Sequence, residues 1–390
     1  RSVDMTRHRL APVVSSFLAI LLAFIVGGLV RELRGHDAID AYRILFARGI
    51  GNHDGLTETF KKMAPVLIVG GGLLIALKAG VWNIGIDGQF LVGALFAGVA
   101  GASLAGDVPR WAMLAAAALA GFLGGLLWAV VPALLKVRFG LNEIITTLMM
   151  NYVAINVTAY LVKGPFRDQE RVAPETVKIP VSLRLPAIPG TEVHVGLVAG
   201  LVVVTLVAIL FRSTVVGFML SVLGANRRAA IHAGIPVGAL SATALLLSGG
   251  FAGLAGANDV LGVQGVFKAN WDPGYGFTGF ALVYLARLNS LAIVPFAFFF
   301  SFLLIGGDAM SRRAGIPTYY VEMLEGLMLI FFAFAVYLER RFMGESARAA
   351  RGAIDSAAVS PAEASEWNAP DPAMLPRRLP TSPPLSGESR

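Results

Sequence analysis

Asn83, Asp87 and Gln89 fall in one short run, Gly80-Val81-Trp82-Asn83-Ile84-Gly85-Ile86-Asp87-Gly88-Gln89. Two primary amides and a carboxylate supply donors and acceptors for a polar solute, and one ionisable group for coupling to an ion. The run separates two apolar segments, residues 63–77 and 90–104. An Asp at the centre of a membrane helix costs about 2.5–3.5 kcal/mol on insertion scales. Irregular backbone survives at that depth only where protein or a water-filled cavity satisfies its N–H and C=O groups. One reading is therefore a polar break lining a path across a bilayer. The other is a set of helix-packing glycines with an interfacial Asp favoured by a helix N-terminus.

A second group is Asn142, Glu143, Thr146, Thr147 and Asn151. At helical spacing these residues form a polar stripe on an otherwise apolar helix. Such stripes face a bundle interior or a pore. Interhelical hydrogen bonding, worth only about 0.6 kcal/mol per contact, is the plainer alternative.

A third group lies in residues 218–236, an Ala-rich, basic, amphipathic segment containing Gly224, Ala225, Asn226, Arg227, Arg228, Ala229, Ala230 and Gly234. Gly224 and Gly234 suit helix ends, and Pro236 suits the start of the next helix. A helix-turn-helix held at the membrane surface would dock into a partner's groove; a solvated connector is the other reading. The fourth group, Asn258, Asp259, Gln264, Asn270, Trp271 and Asp272, fits either the outer mouth of a path or an ordinary external loop.

The elements that position these groups follow from composition. The chain has 390 residues, of which 56% are hydrophobic and only 15% charged, with a mean hydropathy of +0.70. Soluble domains carry about 25% charged residues. Apolar runs long enough to cross a bilayer recur along most of the chain. The expected fold is all-α, a polytopic membrane bundle of about ten spans with re-entrant or broken helices. Expected spans are 11–30, 63–79, 84–105, 111–135, 143–162, 196–211, 237–257, 277–287, 291–306 and 322–338, of which 277–287 is short for a crossing. Between the first two, residues 31–62 carry Ile39, Tyr42, Leu45 and Phe46 at helical spacing, which suggests a helix lying at the interface.

An even number of spans puts both termini on one side. That side carries Arg7, Arg9, Lys136, Arg138, Arg212, Arg227, Arg228, Arg340 and Arg341, so the positive-inside rule makes it cytoplasmic. Arg312 and Arg313 fall on the other face and weaken the bias. The domain reading is a cytoplasmic N-terminus at 1–10, a membrane domain at 11–341 with its main cytoplasmic loop at about 212–236, and a disordered cytoplasmic tail at 342–390. That tail is rich in Ala, Pro, Ser and Arg.

Several chemistries are excluded. There is no cysteine, hence no disulfide or thiolate site. The five histidines are scattered, and no Walker A, His-Glu-x-x-His or Gly-x-Ser-x-Gly motif occurs. No cofactor, metal or catalytic residue is expected, and this is not an enzyme by itself. The net charge of +7 is dispersed between spans, not gathered into a nucleic-acid patch.

Taken together, residues 80–89, 141–152, 224–235 and the run Gly274-Tyr275-Gly276-Phe277 resemble the permease subunits of ATP-binding-cassette importers for nucleosides and simple sugars. That family belongs to the wider branched-chain amino acid and ribose permease group. The likeness covers roughly residues 10–341, and the first run is similar to the family's Asn-Ile-Gly-x-Glu-Gly-Gln pattern, with Asp87 where Glu is usual. The resemblance implies translocation of a small polar solute, a nucleoside first and a sugar such as ribose second, across the cytoplasmic (inner) membrane. It implies three protein partners: a separate ATP-binding cassette subunit that hydrolyses ATP, a second and non-identical permease, and an extracytoplasmic solute-binding protein or lipoprotein. It also implies that residues around 221–235 couple the ATPase to the spans. The alternative by mechanism is an ion-coupled secondary transporter using Asp87 and Glu143.

Overall fold

The computed structural model describes the backbone of residues 2–33, 35, 37–271, 273–317 and 319–357, and side chains over most of 15–341. The chain divides into two units, Arg1–Ala335 and Val336–Arg390. Everything below concerns the first. In the second, helix continues to Ala357; the disordered tail expected at 342–390 falls largely outside the described residues, as does Asp272.

In chain order the helices are α1 (Ser2–Leu33), α2 (Ala38–Gly49), α3 (His53–Lys78), α4 (Ile86–Ser103), α5 (Arg110–Phe139), α6 (Glu143–Lys163) and α7 (Gly196–Ser213). There follow α8 (Val215–Ala225), α9 (Arg227–His232), α10 (Val237–Asp259), α11 (Tyr275–Leu285), α12 (Ile293–Ala314) and α13 (Tyr319–Ala357). A five-residue π turn, Val260–Gln264, extends α10. Among the described residues there is no strand, and nine helices are long and apolar enough to cross a membrane.

The all-α membrane bundle is as the sequence leads one to expect, with one correction to the span count. The segment expected as a tenth span, 277–287, is the 11-residue helix α11. At about 1.5 Å per residue it reaches only about 16 Å, half a bilayer core. A second correction concerns residues 53–62, which extend α3 and do not belong to the interfacial segment. Asn52 caps that longer helix by accepting the Gly55 N–H at 2.6 Å. Residues 38–49 do form a separate helix, yet Ile39 is exposed, and Ala38, Ala41 and Leu45 are the buried face.

The core sits around α3, packed by α7, α10, α11 and α12. Almost every residue of α3 from Met63 to Leu77 is buried, which explains why it is apolar all round and not amphipathic. On the other side α4, α5 and α10 cross through glycines. A β-carbon added at Gly253 would strike the Gly121 carbonyl and the backbone of Gly125, and one at Gly93 would strike Gly253. In lipid, where apolar surface alone gives no drive to pack helices, this close approach supplies the van der Waals contact that does.

Residues 163–194, between α6 and α7, form an ordered strap over the end of α10. Backbone bonds tie Thr176 N to Phe267 O (3.0 Å), Ile179 N to Gly265 O (2.9 Å) and Leu185 N to Leu261 O (2.9 Å).

Candidate functional site: a hydrogen-bonded break and the cavity beside it

Helix α3 ends at Lys78, and the chain then takes seven non-helical residues, 79–85, before α4 begins at Ile86. Gly80 makes the turn possible. Its φ is +70°, and a β-carbon there would lie 3.2 Å from the Gly224 Cα at the end of α8. Trp82 leans on α11, its ring centroid 6.2 Å from Phe280 and 5.7 Å from Tyr284.

The polar side chains of the break mostly satisfy one another. Asn83 Nδ2 donates to Gln89 Oε1 at 2.7 Å and to Ser248 Oγ at 3.0 Å. Gln89 Nε2 returns a bond to Asn83 Oδ1 at 3.0 Å. Asn83 and Gln89 are 0% and 1% exposed. The stripe on α6 completes the knot. Asn151 Oδ1 accepts the Gly88 N–H at 2.8 Å while its Nδ2 donates to the Ile84 carbonyl at 2.8 Å. Thr147 Oγ1 accepts the Ile84 N–H at 3.1 Å. These are the backbone groups that a broken helix leaves without intrahelical partners. Ser248 lies within the Val237–Gln264 span, roughly 16 Å from one end and 24 Å from the other, so the knot sits deep in the bundle.

The rest of the stripe does other work. Asn142 is an exposed N-cap, accepting the Ile144 N–H at 2.9 Å. Glu143 pairs with Lys136 at 2.5 Å, clasping the corner between α5 and α6. The Thr146 hydroxyl turns back to the Asn142 carbonyl.

Asp87 alone among the polar side chains of the break reaches away from the knot. It stands in the first turn of α4, and its Oδ1 accepts the backbone N–H of Gly276 at 2.6 Å, in the first turn of α11. Two helix N-termini therefore converge on one carboxylate, and each favours negative charge there.

Gly274 and Thr278, on either side of Gly276, border a cavity of about 310 Å³ that also meets Lys62, Trp271, Asp308, Glu322 and Glu325. At its edge the Thr278 hydroxyl donates to Glu325, 3.0 and 3.1 Å from its two carboxylate oxygens, and Glu325 is 1% exposed. An adjoining cavity of about 230 Å³ shares Lys62, Gln264 and Asp308 and carries Glu58, Lys61 and Arg312. The fourth polar group of the sequence thus divides. Gln264 and Trp271 border the cavities, Asp259 accepts the Tyr275 hydroxyl at 3.1 Å, and Asn258 donates to Gly196 O at 3.2 Å. Sequence reasoning passed over Glu322, Glu325, Lys62 and Asp308. The signal was present: two glutamates three positions apart inside the apolar run 319–338 need a partner or a wet cavity.

At the face carrying the end of α3, Asn226 separates α8 from α9 and caps the latter, accepting from Arg228 N (3.0 Å) and Ala229 N (3.1 Å). Gly224, Ala225, Asn226, Arg227, Arg228, Ala229 and Gly234 are exposed there, and Ala230 is buried. Gly224 is the penultimate residue of α8, and a β-carbon added there would strike the Lys78 carbonyl. Lys78 also places its ammonium 4.4 Å from the Phe211 ring.

A polytopic helical bundle with a hydrogen-bonded break, a half-length helix and a polar cavity is the kind of arrangement that solute permeases use. Residues 55–333 match the family described as branched-chain amino acid transport system / permease component, and the chain belongs to that family. It is 32% identical over 340 residues to the glucose ABC transporter permease protein TsgB13 of Haloferax volcanii, covering 84% of this chain and 88% of that one. It is 30% identical over 349 residues to the guanosine ABC transporter permease protein NupP of Bacillus subtilis, covering 86% and 97%. It is 26% identical over 346 residues to the nucleoside ABC transporter permease protein NupB of Lactococcus lactis, covering 86% and 93%. The chain is thus a transport subunit, an ATP-binding-cassette permease, embedded in a membrane by multiple passes.

Proposed function

We propose that this chain is one permease of an ATP-driven importer for nucleosides, with simple sugars as the second solute class. The carrying observation is the convergence of two helix starts on Asp87 next to a polar cavity. Broken helices whose ends face a cavity are how membrane bundles offer backbone dipoles to a polar solute. Two relatives named for guanosine and nucleosides favour the first class, and the relative named for glucose favours the second.

In this reading the solute enters from the strap face through the two adjoining cavities and reaches Asp87. Asn83, Gln89, Thr147 and Asn151 hold the shape of the break, and Asn142, Glu143 and Thr146 fix the start of α6. A separate ATP-binding cassette subunit docks on α8 and α9, where Arg227 and Arg228 are exposed. Gly224 lies against Lys78 and Gly80, so a push on α8 is felt at the break. A second, non-identical permease completes the path, and an extracytoplasmic binding protein or lipoprotein delivers the solute at the strap. Lys136, Arg138, Arg212, Arg227 and Arg228 make the docking face cytoplasmic by the positive-inside rule, in the inner membrane.

Ion coupling through Asp87 and Glu143 is less well supported, because Glu143 is held by Lys136 at a helix corner. Uptake of labelled uridine into energised membrane vesicles separates the two mechanisms. ATP depletion abolishes uptake in the importer and ionophores leave it intact; the reverse pattern would establish a secondary transporter.

A further inference from the structure

A separate cleft of about 420 Å³ lies between the end of α1 and the corner that joins α12 to α13. Ile316, Pro317 and Met323 give it an apolar wall. One turn away α1 presses against α13, where a β-carbon added at Gly27 would strike Leu324. Tyr320 lines the cleft from its buried side and is 9% exposed. Its hydroxyl lies 3.1 Å from that of Tyr42, which donates to the Phe24 carbonyl at 2.7 Å. Hydrogen bonds thus join α1, α2 and α13 behind the cleft and fix its shape.

Among the described residues, Arg31 is the one charged side chain that borders this space. Its Nε donates to the Asp37 carbonyl at 3.0 Å, which anchors the guanidinium at the end of α1. The nearby carboxylates are engaged elsewhere. Glu32 accepts the Ala38 N–H at 2.8 Å and Asp37 accepts the Asp40 N–H at 2.9 Å, both at the start of α2. Glu322, in the first turn of α13, borders the polar cavity. Arg313 is a second cation, exposed in the last turn of α12 beside Ala314, which also borders the cleft. The planar fork of arginine matches the oxygens of a phosphate.

The apolar wall continues away from these charges. Tyr319 and Met323 share a face of α13 with Ile330 and Phe334, at intervals of four, seven and four residues. Tyr319, Ile330 and Phe334 are 67%, 64% and 57% exposed. In a membrane-spanning helix such a stripe faces acyl chains. Arginine near the end of one span and tyrosine at the start of another mark the membrane–water boundary. A soluble anion would satisfy Arg31 and leave the apolar wall wet. A lipid without net charge would cover the wall and leave the cations unpaired. Only an amphiphile with an anionic head answers both.

We propose that this cleft binds one anionic phospholipid, with its phosphate on Arg31 and Arg313 and an acyl chain along Met323, Ile330 and Phe334. The lipid ties α1 to the α12–α13 corner. The site depends on membrane embedding alone and not on the nature of the transported solute.

The test uses the full chain purified with its copurifying subunits in an uncharged detergent. Dioleoyl phosphatidylglycerol and dioleoyl phosphatidylcholine are added in equal amounts, and the first bound lipid is identified by native mass spectrometry. Phosphatidylglycerol is expected to be retained at least about 5-fold over phosphatidylcholine. Glycerol 1-phosphate, the soluble head group, is expected not to displace it at equal concentration. Arg31→Gln is expected to reduce the preference about 3-fold or more, and Arg212→Gln, an exposed arginine in the last turn of α7, by less than about 1.5-fold. Arg313→Gln, at an exposed position, repeats the charge test if Arg31→Gln assembles poorly. Met323→Trp fills the cleft without changing its charge and is expected to abolish the retention. It should also remove the rise in melting temperature that phosphatidylglycerol gives the unaltered protein. Equal retention of the two lipids overturns the proposal, as does a preference unchanged in both arginine variants. Retention that survives Met323→Trp removes the acyl contact, and displacement by glycerol 1-phosphate makes this a site for a soluble anion; either result overturns the lipid assignment.

Discussion

The carboxylate of Asp87 caps the start of α11 by accepting the Gly276 N–H at 2.6 Å, joining two helix N-termini that are far apart in the chain. This bond sits between the hydrogen-bonded knot of the break and the polar cavity. A charged acceptor is worth about 1.5–3 kcal/mol in such a bond, against about 1 for a neutral one.

Asp87→Asn keeps an oxygen for Gly276 but removes the charge that both helix ends favour. Uptake is expected to fall several-fold with normal membrane insertion. Asp87→Ala leaves the Gly276 N–H without its acceptor and is expected to be worse on both counts. Initial uptake rates beside membrane abundance measure this order; normal transport by Asp87→Asn would remove the residue from the path.

Asn151→Leu is expected to destabilise the protein by about 2–4 kcal/mol. Interhelical bonds in membranes average only about 0.6 kcal/mol, but here the Gly88 N–H and the Ile84 carbonyl both lose their partner. Thermal unfolding in detergent reads the loss. A change comparable with that of Thr205→Ala, an exposed hydroxyl bonded only within its own helix, would contradict it.

Arg227→Glu combined with Arg228→Glu reverses two exposed charges on α9. Copurification of the ATP-binding subunit is expected to drop sharply while the chain stays in the membrane. Undiminished copurification would remove the docking assignment.

Acid is expected to loosen the strap. His194 is 3% exposed, neither ring nitrogen has a hydrogen-bond partner, and burial together with nearby Lys61 pushes its pKa down to about 4. Because the folded pKa lies below the usual 6.5, the unfolded state binds the extra proton between those values. Stability is then full above about pH 6.5 and falls by about 2–3 kcal/mol on approaching pH 4. Melting temperatures across that range should show the slope, and His194→Phe should flatten it.

Much of the bundle was legible in the sequence because membrane helices are written in hydropathy alone. The starts of α4, α6 and α7 fall within two residues of their expected positions. Residues 53–62 were not legible as part of α3, since their charges resemble an interfacial segment until Asn52 is recognised as a cap. The polar residues of the break were legible, but the hydrogen bonds among them were not. Asn83, Gln89 and Asn151 look like solute ligands in sequence because nothing there reveals that they meet one another and Ser248. The cavity was hidden for the opposite reason. Lys62, Asp308, Glu322 and Glu325 are scattered over three helices, and only folding brings them around one space.

The chain's lack of cysteine allows the central claim, that the solute passes through the cavity beside the break, to be tested directly. Single cysteines at Gln264, Glu322 and Asn83 would be exposed to a membrane-impermeant thiol reagent from the strap face, with and without uridine. The account predicts labelling at Gln264→Cys and Glu322→Cys that uridine suppresses, and no labelling at the buried Asn83→Cys. Labelling and uridine protection at Asn83→Cys, with the two cavity positions inert, would contradict it.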